Sequence, residues 1–350
     1  MTATKLRDRP NFLRQRVLGI LINETSFYIL KRLLQALLTL LLASALSFAI
    51  IQLAPGNYLD ILKEDPTISE DTIAQLTARY GLDRPMLTQY WTWLVRVVTH
   101  FDFGRSFVYS RDVSSLIIER MGNTLLLAIS SIIVTWAIAL PLGIIGAVKQ
   151  NQPLDKALRV LSYIGQGFPS FITALLLLFV AQLLSPLLPV GGMTSINHNE
   201  LSFLGRIFDI AWHMILPTIA LSITSFAGLQ RLTRGSLLDV LRQEYIQTAR
   251  AKGLSEDRVM YVHALRNAVN PLVTILGFEF ASLLSGSFIA EYFFNWPGLG
   301  RLILGAVMTQ DLYLVMASLM MGALMLIIGN LLSDLLLKAV DPRIRLENLQ

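Results

Sequence analysis

The chain has no cysteine and four histidines among its 350 residues. The first absence excludes disulfide staples, thiolate metal sites and cysteine nucleophiles, and the second argues against a histidine-rich metal centre. Charge is scarce too. Asp, Glu, Lys and Arg make up 15% of the chain, where a soluble domain carries roughly 25%. With 54% hydrophobic residues and a mean hydropathy of +0.57, the polar groups cannot cover a water-facing surface. A soluble enzyme, a disordered tail and a nucleic-acid module are thereby excluded. The net charge of +5 is scattered between long apolar runs, so it bears on membrane topology before nucleic acid. The chain reads as an integral membrane protein.

A bilayer-crossing helix needs about 20 mainly apolar residues. Charge-free stretches of that size are 33–51, 121–148, 160–184, 210–230 and 312–333, and a sixth, 267–290, is interrupted only by Glu279. Six transmembrane helices are predicted; the region 160–199 suits either one helix and a loop or two short helices, and the Pro- and Gly-rich run over 186–192 favours one helix and a loop. Most Lys and Arg, 20 of 29, fall in segments 1–32, 149–159, 231–266 and 338–350. The positive-inside rule then places these segments, and both termini, in the cytoplasm. Ala43-Ser44-Ala45 resembles a leader cleavage site. The long basic segment ahead of it does not fit a leader, so an uncleaved helix is expected. Residues 11–28 mix Arg with Phe, Leu and Ile, which predicts an amphipathic helix along the inner surface.

Two connecting segments carry helix signals. In the first, Thr67 with Glu70 predicts a capping box and a helix ending at Gly81. Asp83 then predicts a cap for a second helix, with Pro85 in its first turn, running to about His100. Leu87, Tyr90, Trp91, Leu94, Val97 and Val98 give it an apolar face. That face is expected to pack on the membrane domain, the alternative being a docking surface outside the cell. In the second segment, 236–252 is helical by composition and Gly253 stands where a left-handed cap is needed. Ser255 is placed to cap the next helix, with Glu256 and Asp257 favourable in its first turn. The result is a helix, a glycine corner and a second helix, flanked by Arg242, Arg250, Lys252, Arg258 and Arg266. Such an element suits either anionic lipid or a docked protein.

The run Glu244-Tyr-Ile-Gln-Thr-Ala-Arg-Ala-Lys-Gly253, with His263-Ala-Leu-Arg-Asn267 and Pro271, resembles the cytoplasmic signature of ABC-transporter permeases. It looks most like the dipeptide/oligopeptide/nickel importer family. Further matching motifs are Pro55-Gly56, Gly81-Leu-Asp-Arg-Pro85 with Gln89-Tyr90, and Asp102-Phe-Gly-Arg-Ser106. Glu291-Tyr-Phe-Phe-Asn-Trp-Pro-Gly-Leu-Gly-Arg-Leu302 and Asp341-Pro-Arg-Ile-Arg345 complete the set. The large segment after the first span looks like the B-type permease. The resemblance implies an all-α, polytopic protein with the six-helix type I ABC importer permease fold. Its parts would be a cytoplasmic segment 1–29, a first helix 30–52, an extracytoplasmic helical segment 53–120, a permease core 121–340 and a cytoplasmic tail 341–350.

By the same resemblance, residues 231–266 hold the coupling helix that seats in a cytoplasmic ATPase. Its candidate contacts are Glu244, Tyr245, Thr248, Ala249, Arg250, Lys252, Gly253 and Arg258. Gly253 would make the corner and Ala249 would permit close approach of the partner. Gln247, Thr248 and Arg266 depart from the general signature as the peptide-type branch does. The implied partners are a second permease of the C type, two ABC ATPases, an extracytoplasmic substrate-binding protein and membrane lipid, in a bacterial inner membrane. No cofactor is expected in this chain. It has no G-x-x-x-x-G-K-[ST] loop, so ATP and Mg would bind the partner ATPases. Gly298-Leu-Gly300 reads as a turn, and no catalytic or metal residue is assigned.

Within the spans, Glu279 is expensive when ionised and is read as facing a substrate pathway, with Ser282 and Ser285 as further candidates. An internally hydrogen-bonded acid is the alternative. Ser287 and Gly286 suit close helix approach. Asn330 and Asp334 read as structural, Asp334 reaching interface water. Pro141, Pro169 and Pro217 are expected to kink their helices. His213 and His263 have no ligand partner at i+3 or i+4, so neither reads as a metal ligand. The rival readings are an ion-gradient-driven secondary transporter, disfavoured by the lack of internal symmetry, and a membrane-embedded protease, whose motifs are absent. Peptide is the expected substrate, with nickel or glutathione as alternatives.

Overall fold

The computed structural model describes residues 9–340 apart from 55, 57 and 64–66, and side chains from Tyr28 onward except at 61, 277–278, 281–286, 333 and 337–340. The tail 341–350, with its Asp341-Pro-Arg-Ile-Arg345 motif, lies outside the described residues. A long helix α1 (Arg9–Leu53) is followed by three shorter ones, α2 (Tyr58–Lys63), α3 (Glu70–Tyr80) and α4 (Met86–His100). Then come α5 (Val113–Val148), α6 (Pro153–Gly167), α7 (Ser170–Leu183) and α8 (Phe203–Leu241). The next short pieces are α9 (Glu244–Ala251), α10 (Glu256–Arg258), a π-helical turn (Val259–Ala264) and α11 (Leu265–Ala268). The chain closes with α12 (Asn270–Phe293), α13 (Leu299–Met308) and α14 (Leu312–Val340). Among the described residues there is no strand, only a bridge between Arg105 and Asp112.

Four stretches are long and apolar enough to cross a membrane: Tyr28–Asp60, Val113–Val148, Phe203–Leu241 and Leu312–Leu336. The expected third span is broken. Its halves, α6 and α7, meet at 101°. The reason is local, because a residue before proline is pushed out of the α region, and Phe168 before Pro169 is extended at ψ 123°. Pro169 therefore ends a helix where a kink was expected, whereas α5 and α8 run on through Pro141 and Pro217. Leu34, Leu38, Leu42 and Leu46 of α1 are exposed, as the surface of a lipid-immersed helix would be. The amphipathic helix expected over 11–28 is not a separate element, since α1 passes from Arg9 into the first span without a break.

The bundle has two distinct ends. At one, Trp93 and Val97 of α4 pack with Val113, Leu116 and Ile117 of α5 and with α13 and α14. At the other, Ala147 at the far end of α5 packs with Leu237, Ile246 and Val259. Some 30 residues of α5 separate these clusters, about 45 Å at 1.5 Å per residue.

The capping expectations were half right. Gly81 does end α3 at φ 68°. The cap at its start is Ser69, whose Oγ accepts from the Thr72 N–H at 3.3 Å, in place of Thr67. Pro85 stands at the N-cap of α4 with no side-chain cap, so Asp83 does not cap it. On α4 the inward face is Tyr90, Trp93, Leu94 and Val97. Leu87, Trp91 and Val98 are exposed, so the apolar face only partly packs on the core.

Candidate functional site

The helix predicted over 236–252 is two helices, because α8 ends at Leu241 and α9 starts after Gln243. α9 is short and amphipathic. Ile246 and Ala249 point into a core of Ala147, Leu237, Val259, Ala264 and Ala268, while Glu244, Tyr245, Gln247, Thr248 and Arg250 are exposed. Lys252 and Gly253 end the helix, Gly253 at φ 75° with open space around its Cβ direction. The left-handed corner is thus as expected. Ser255 takes a capping conformation without a side-chain hydrogen bond, so the expected hydroxyl cap is not formed.

An exposed ion pair spans the corner instead. The Arg250 guanidinium donates to both Glu256 oxygens, at 2.9 and 3.1 Å. This fork joins the arms on either side of Gly253 and leaves an exposed ridge. The candidate residues Glu244, Tyr245, Thr248, Arg250, Lys252, Gly253 and Arg258 all lie exposed on this element. Ala249 differs. It is 7% exposed and packs inside this chain. Beyond Arg258 the chain winds into the π-helical turn, which carries His263, and Asn267 Nδ2 donates to the His263 carbonyl at 2.8 Å. No sequence signal announced that turn.

The ridge is anchored by charges that sequence reasoning missed. Asp155 at the start of α6 is fully buried and accepts from Arg234 of α8 through Nε at 2.6 Å and Nη2 at 2.8 Å. It also accepts from the Asn151 N–H at 2.8 Å. Arg234 lies two turns before α8 ends, so this pair fixes the segment from which α9 departs. Spacing along the chain carried no hint of it, since 79 residues separate the partners.

The intramembrane candidate is packed. Glu279 is 8% exposed; it accepts from the Trp136 indole at 2.7 Å and bonds the Ser225 hydroxyl. Its neighbours come from α5 and α8, so in this conformation it faces the chain's own bundle. The side chains of Ser282 and Ser285 lie outside those described. Glu279→Gln keeps an acceptor for the indole and is expected to leave thermal stability within about 1 kcal/mol, whereas Glu279→Leu strands a buried N–H at a cost of about 1–3 kcal/mol. Thermal unfolding of the two purified variants in detergent checks this; equal stabilities would contradict it.

The motifs at the opposite end have a structural logic. The 291–311 segment holds α13, which the turn reading of Gly298-Leu-Gly300 did not foresee. Glu291 accepts from Thr124 Oγ1 at 2.7 Å and from the Arg301 N–H at 3.0 Å, capping α13 from a distance. Thr124 Oγ1 in turn accepts from the Leu299 N–H at 2.7 Å. A Cβ on Gly298 would fall 2.2 Å from the Glu291 carboxylate, and one on Gly300 2.5 Å from the Phe288 Cα. Both glycines are therefore demanded by close approach. Asp311 similarly accepts from Ser106 Oγ at 2.6 Å and the Val108 N–H at 3.1 Å. Burial raises the pKa of its carboxyl, against these hydrogen bonds, which lower it.

Two further residues gain partners. Asp334, read as structural, accepts from Tyr28 and from Arg32 Nη2, the latter at 2.6 Å, and so ties α14 to α1. His213 does have a partner one turn back: the Asp209 carbonyl lies 2.8 Å and the Asp209 carboxylate 3.4 Å from His213 Nδ1, and that carboxylate lies 2.7 Å from His198 Nδ1. The i, i+4 spacing of Asp209 and His213 could have signalled this. Among the described residues no group of three or more His, Cys, Asp or Glu could hold a metal ion.

Comparison with known proteins gives concordant matches. The model of the "binding-protein-dependent transport system inner membrane component" family matches residues 139–346, and that of its N-terminal region matches 26–128. The oligopeptide transport system permease protein AppB of Bacillus subtilis is 40% identical over 318 residues, which cover 91% of this chain and 98% of that protein. The dipeptide transport system permease protein DppB of Escherichia coli K12 is 36% identical over 334 residues, with the same coverage of each. The glutathione transport system permease protein GsiC of Salmonella choleraesuis is 37% identical over 321 residues, again covering 91% and 98%. Among solved structures, an inward-facing MetNI methionine ABC transporter superposes with a TM-score of 0.51 at 15% identity, over 65% of this chain and 97% of that one. The last match speaks to the fold alone.

Proposed function

This chain belongs to the family of binding-protein-dependent transport system inner membrane components, and from that premise we propose how it works in an ATP-driven importer. It is a multi-pass permease subunit, and its substrates are peptides. The AppB and DppB relatives support the substrate class, and GsiC favours glutathione, itself a tripeptide, as a second reading. Six spans are proposed: the four long helices, the bent α6–α7 pair and the 24-residue α12. The ends of the bundle then lie on opposite sides of the membrane. The end with α9 is cytoplasmic, together with both termini and the tail 341–350, and segment 53–120 is extracytoplasmic. In this arrangement 121–340 is the permease core.

The exposed ridge around Gly253, braced by Arg250 and Glu256, is the observation that carries the mechanism. It is the coupling element, presenting Glu244, Tyr245, Thr248, Arg250, Lys252 and Arg258 to an ATPase. Closure of two ATPases around ATP would push on this ridge and, through the Asp155–Arg234 anchor, on α6 and α8. A second permease, of the C type, would supply the other half of the pathway, and a binding protein would deliver substrate from outside. ATP and Mg reside in the partner subunits. A pathway role for Glu279 would require it to exchange its bundle partners for substrate in another state of the transport cycle.

The test is Gly253→Val. A β-branched residue at φ 75° is strained, yet a Cβ there meets nothing within 4 Å. The distortion should stay local, leaving the protein inserted and the bundle folded. Peptide uptake by the reconstituted importer is expected to fall about tenfold or more, with ATP hydrolysis no longer stimulated by loaded binding protein. Uptake at the unsubstituted rate would sink the coupling assignment.

A further inference from the structure

Four arginines of the segment between the first two spans converge. Arg79, Arg84, Arg96 and Arg105 line one cavity of about 270 Å³ with Gln89, Thr92 and Tyr313. The floor is Tyr313 in the first turn of α14. Its ring lies 5.6 Å from the Arg96 guanidinium, and its hydroxyl donates to the Tyr80 carbonyl at 2.8 Å. Compensating charge is sparse. Among the described residues, one carboxylate comes within ion-pair distance of any of the four: Asp102, 3.9 Å from Arg96. Arg105 donates to the Ser110 carbonyl, which neutralises nothing. The Arg96 Nε is buried and has no hydrogen-bond partner. Four like charges held around a concave site repel one another unless an anion joins them.

The orientation of α4 says which side the anion comes from. At 100° per residue, Gln89, Thr92 and Arg96 lie on the face opposite the exposed Leu87, Trp91 and Val98 stripe. An apolar stripe of this kind suits the lipid interface, so on the topology proposed above, on which this inference rests, the arginine cavity opens towards external water. We propose that this cavity is a binding site for a compact, multiply charged oxyanion, such as a phosphate, taken from the external solution. Guanidinium forks match the paired oxygens of such a group. Because the cavity is built from α3, α4, the Arg105 loop and α14, a bound anion would bridge this segment to the last helix.

The measurement uses the full chain purified with its partner subunits in phosphatidylcholine nanodiscs. Melting temperature is followed against inorganic phosphate, with chloride at matched ionic strength as the reference. A saturable, phosphate-specific rise is expected. Arg79→Gln/Arg84→Gln removes two exposed rim charges without disturbing packing, and should weaken the apparent affinity about tenfold or more. Arg111→Gln, in the same segment but outside the cavity, should not. No phosphate-specific rise, or an unchanged one in the double variant, overturns the proposal. So does a rise obtained only from phosphatidylglycerol in the disc, which would assign the site to a lipid headgroup. The readout is binding alone, so it stands apart from the substrate and coupling assignments.

Discussion

Asp155→Ala is expected to destabilise the folded permease by about 3–5 kcal/mol, the cost of leaving a buried charge without its partner. Arg234 is only 15% exposed, and its fork loses both acceptor oxygens at once. The Asn151 N–H loses its partner as well. The consequence reaches beyond stability, because Arg234 holds the end of α8 from which the α9 ridge projects. A permease with this substitution should melt earlier in detergent and, where it still assembles, couple ATP hydrolysis poorly to uptake. Asp155→Asn, which keeps one acceptor oxygen, should fall between. The discriminating variant is Asp155→Leu combined with Arg234→Met. Replacing both charges by apolar groups of similar bulk removes the buried unpaired cation and leaves Arg159, 3.8 Å from Asp155 with its side chain 37% exposed, to solvent, so most of the lost stability should return. A single Asp155→Ala variant that melts like the unsubstituted protein would show that the pair is not an anchor.

Glu291→Ala should be comparably damaging at the opposite end. The carboxylate is buried and accepts from Thr124 Oγ1 and from the backbone N–H groups of Gly300 and Arg301. Its loss leaves several buried donors unpaired at about 1–3 kcal/mol each, and removes the cap of α13. The total is about 3–5 kcal/mol, once partial relaxation into the vacated volume is allowed for. Glu291→Gln supplies an acceptor on one side only and should recover less than half of it. Gly300→Val should mimic the loss by another route, because its Cβ would lie 2.5 Å from the Phe288 Cα and force α13 away from α12. Thermal unfolding of the variants in one detergent checks the ranking. Near-normal melting of Glu291→Ala would mean that α13 is held by its apolar contacts alone.

Where the sequence was read correctly, the signal was local. The helices over the apolar runs follow from composition, because nothing but a long helix satisfies twenty consecutive backbone groups in lipid. The corner at Gly253 and the end of α3 at Gly81 were readable because a left-handed residue beside polar helix ends favours glycine. Errors arose where neighbouring cues competed. Ser69 won the α3 cap over Thr67 two residues away, and proline geometry at Phe168 broke a span that hydropathy alone drew as one helix. α13 went unseen because its glycines read as turn formers, when they are small for the sake of Glu291 and Phe288.

The candidate site divides along the same line. The residues of the exposed ridge around Gly253 were proposed from a contiguous motif, and their exposure follows from the amphipathic spacing of α9. Membrane class, helical architecture and family were determined by the sequence itself, because each rests on composition or on residues adjacent in the chain. Only the tertiary structure decided that Asp155 meets Arg234, that Glu279 meets Trp136, that Ala249 packs inward and that four scattered arginines share one cavity. These partners lie far apart along the chain or on different helices. Which side chains meet is set by how helices rotate and cross, and that is a property of the packed bundle, which no single segment encodes.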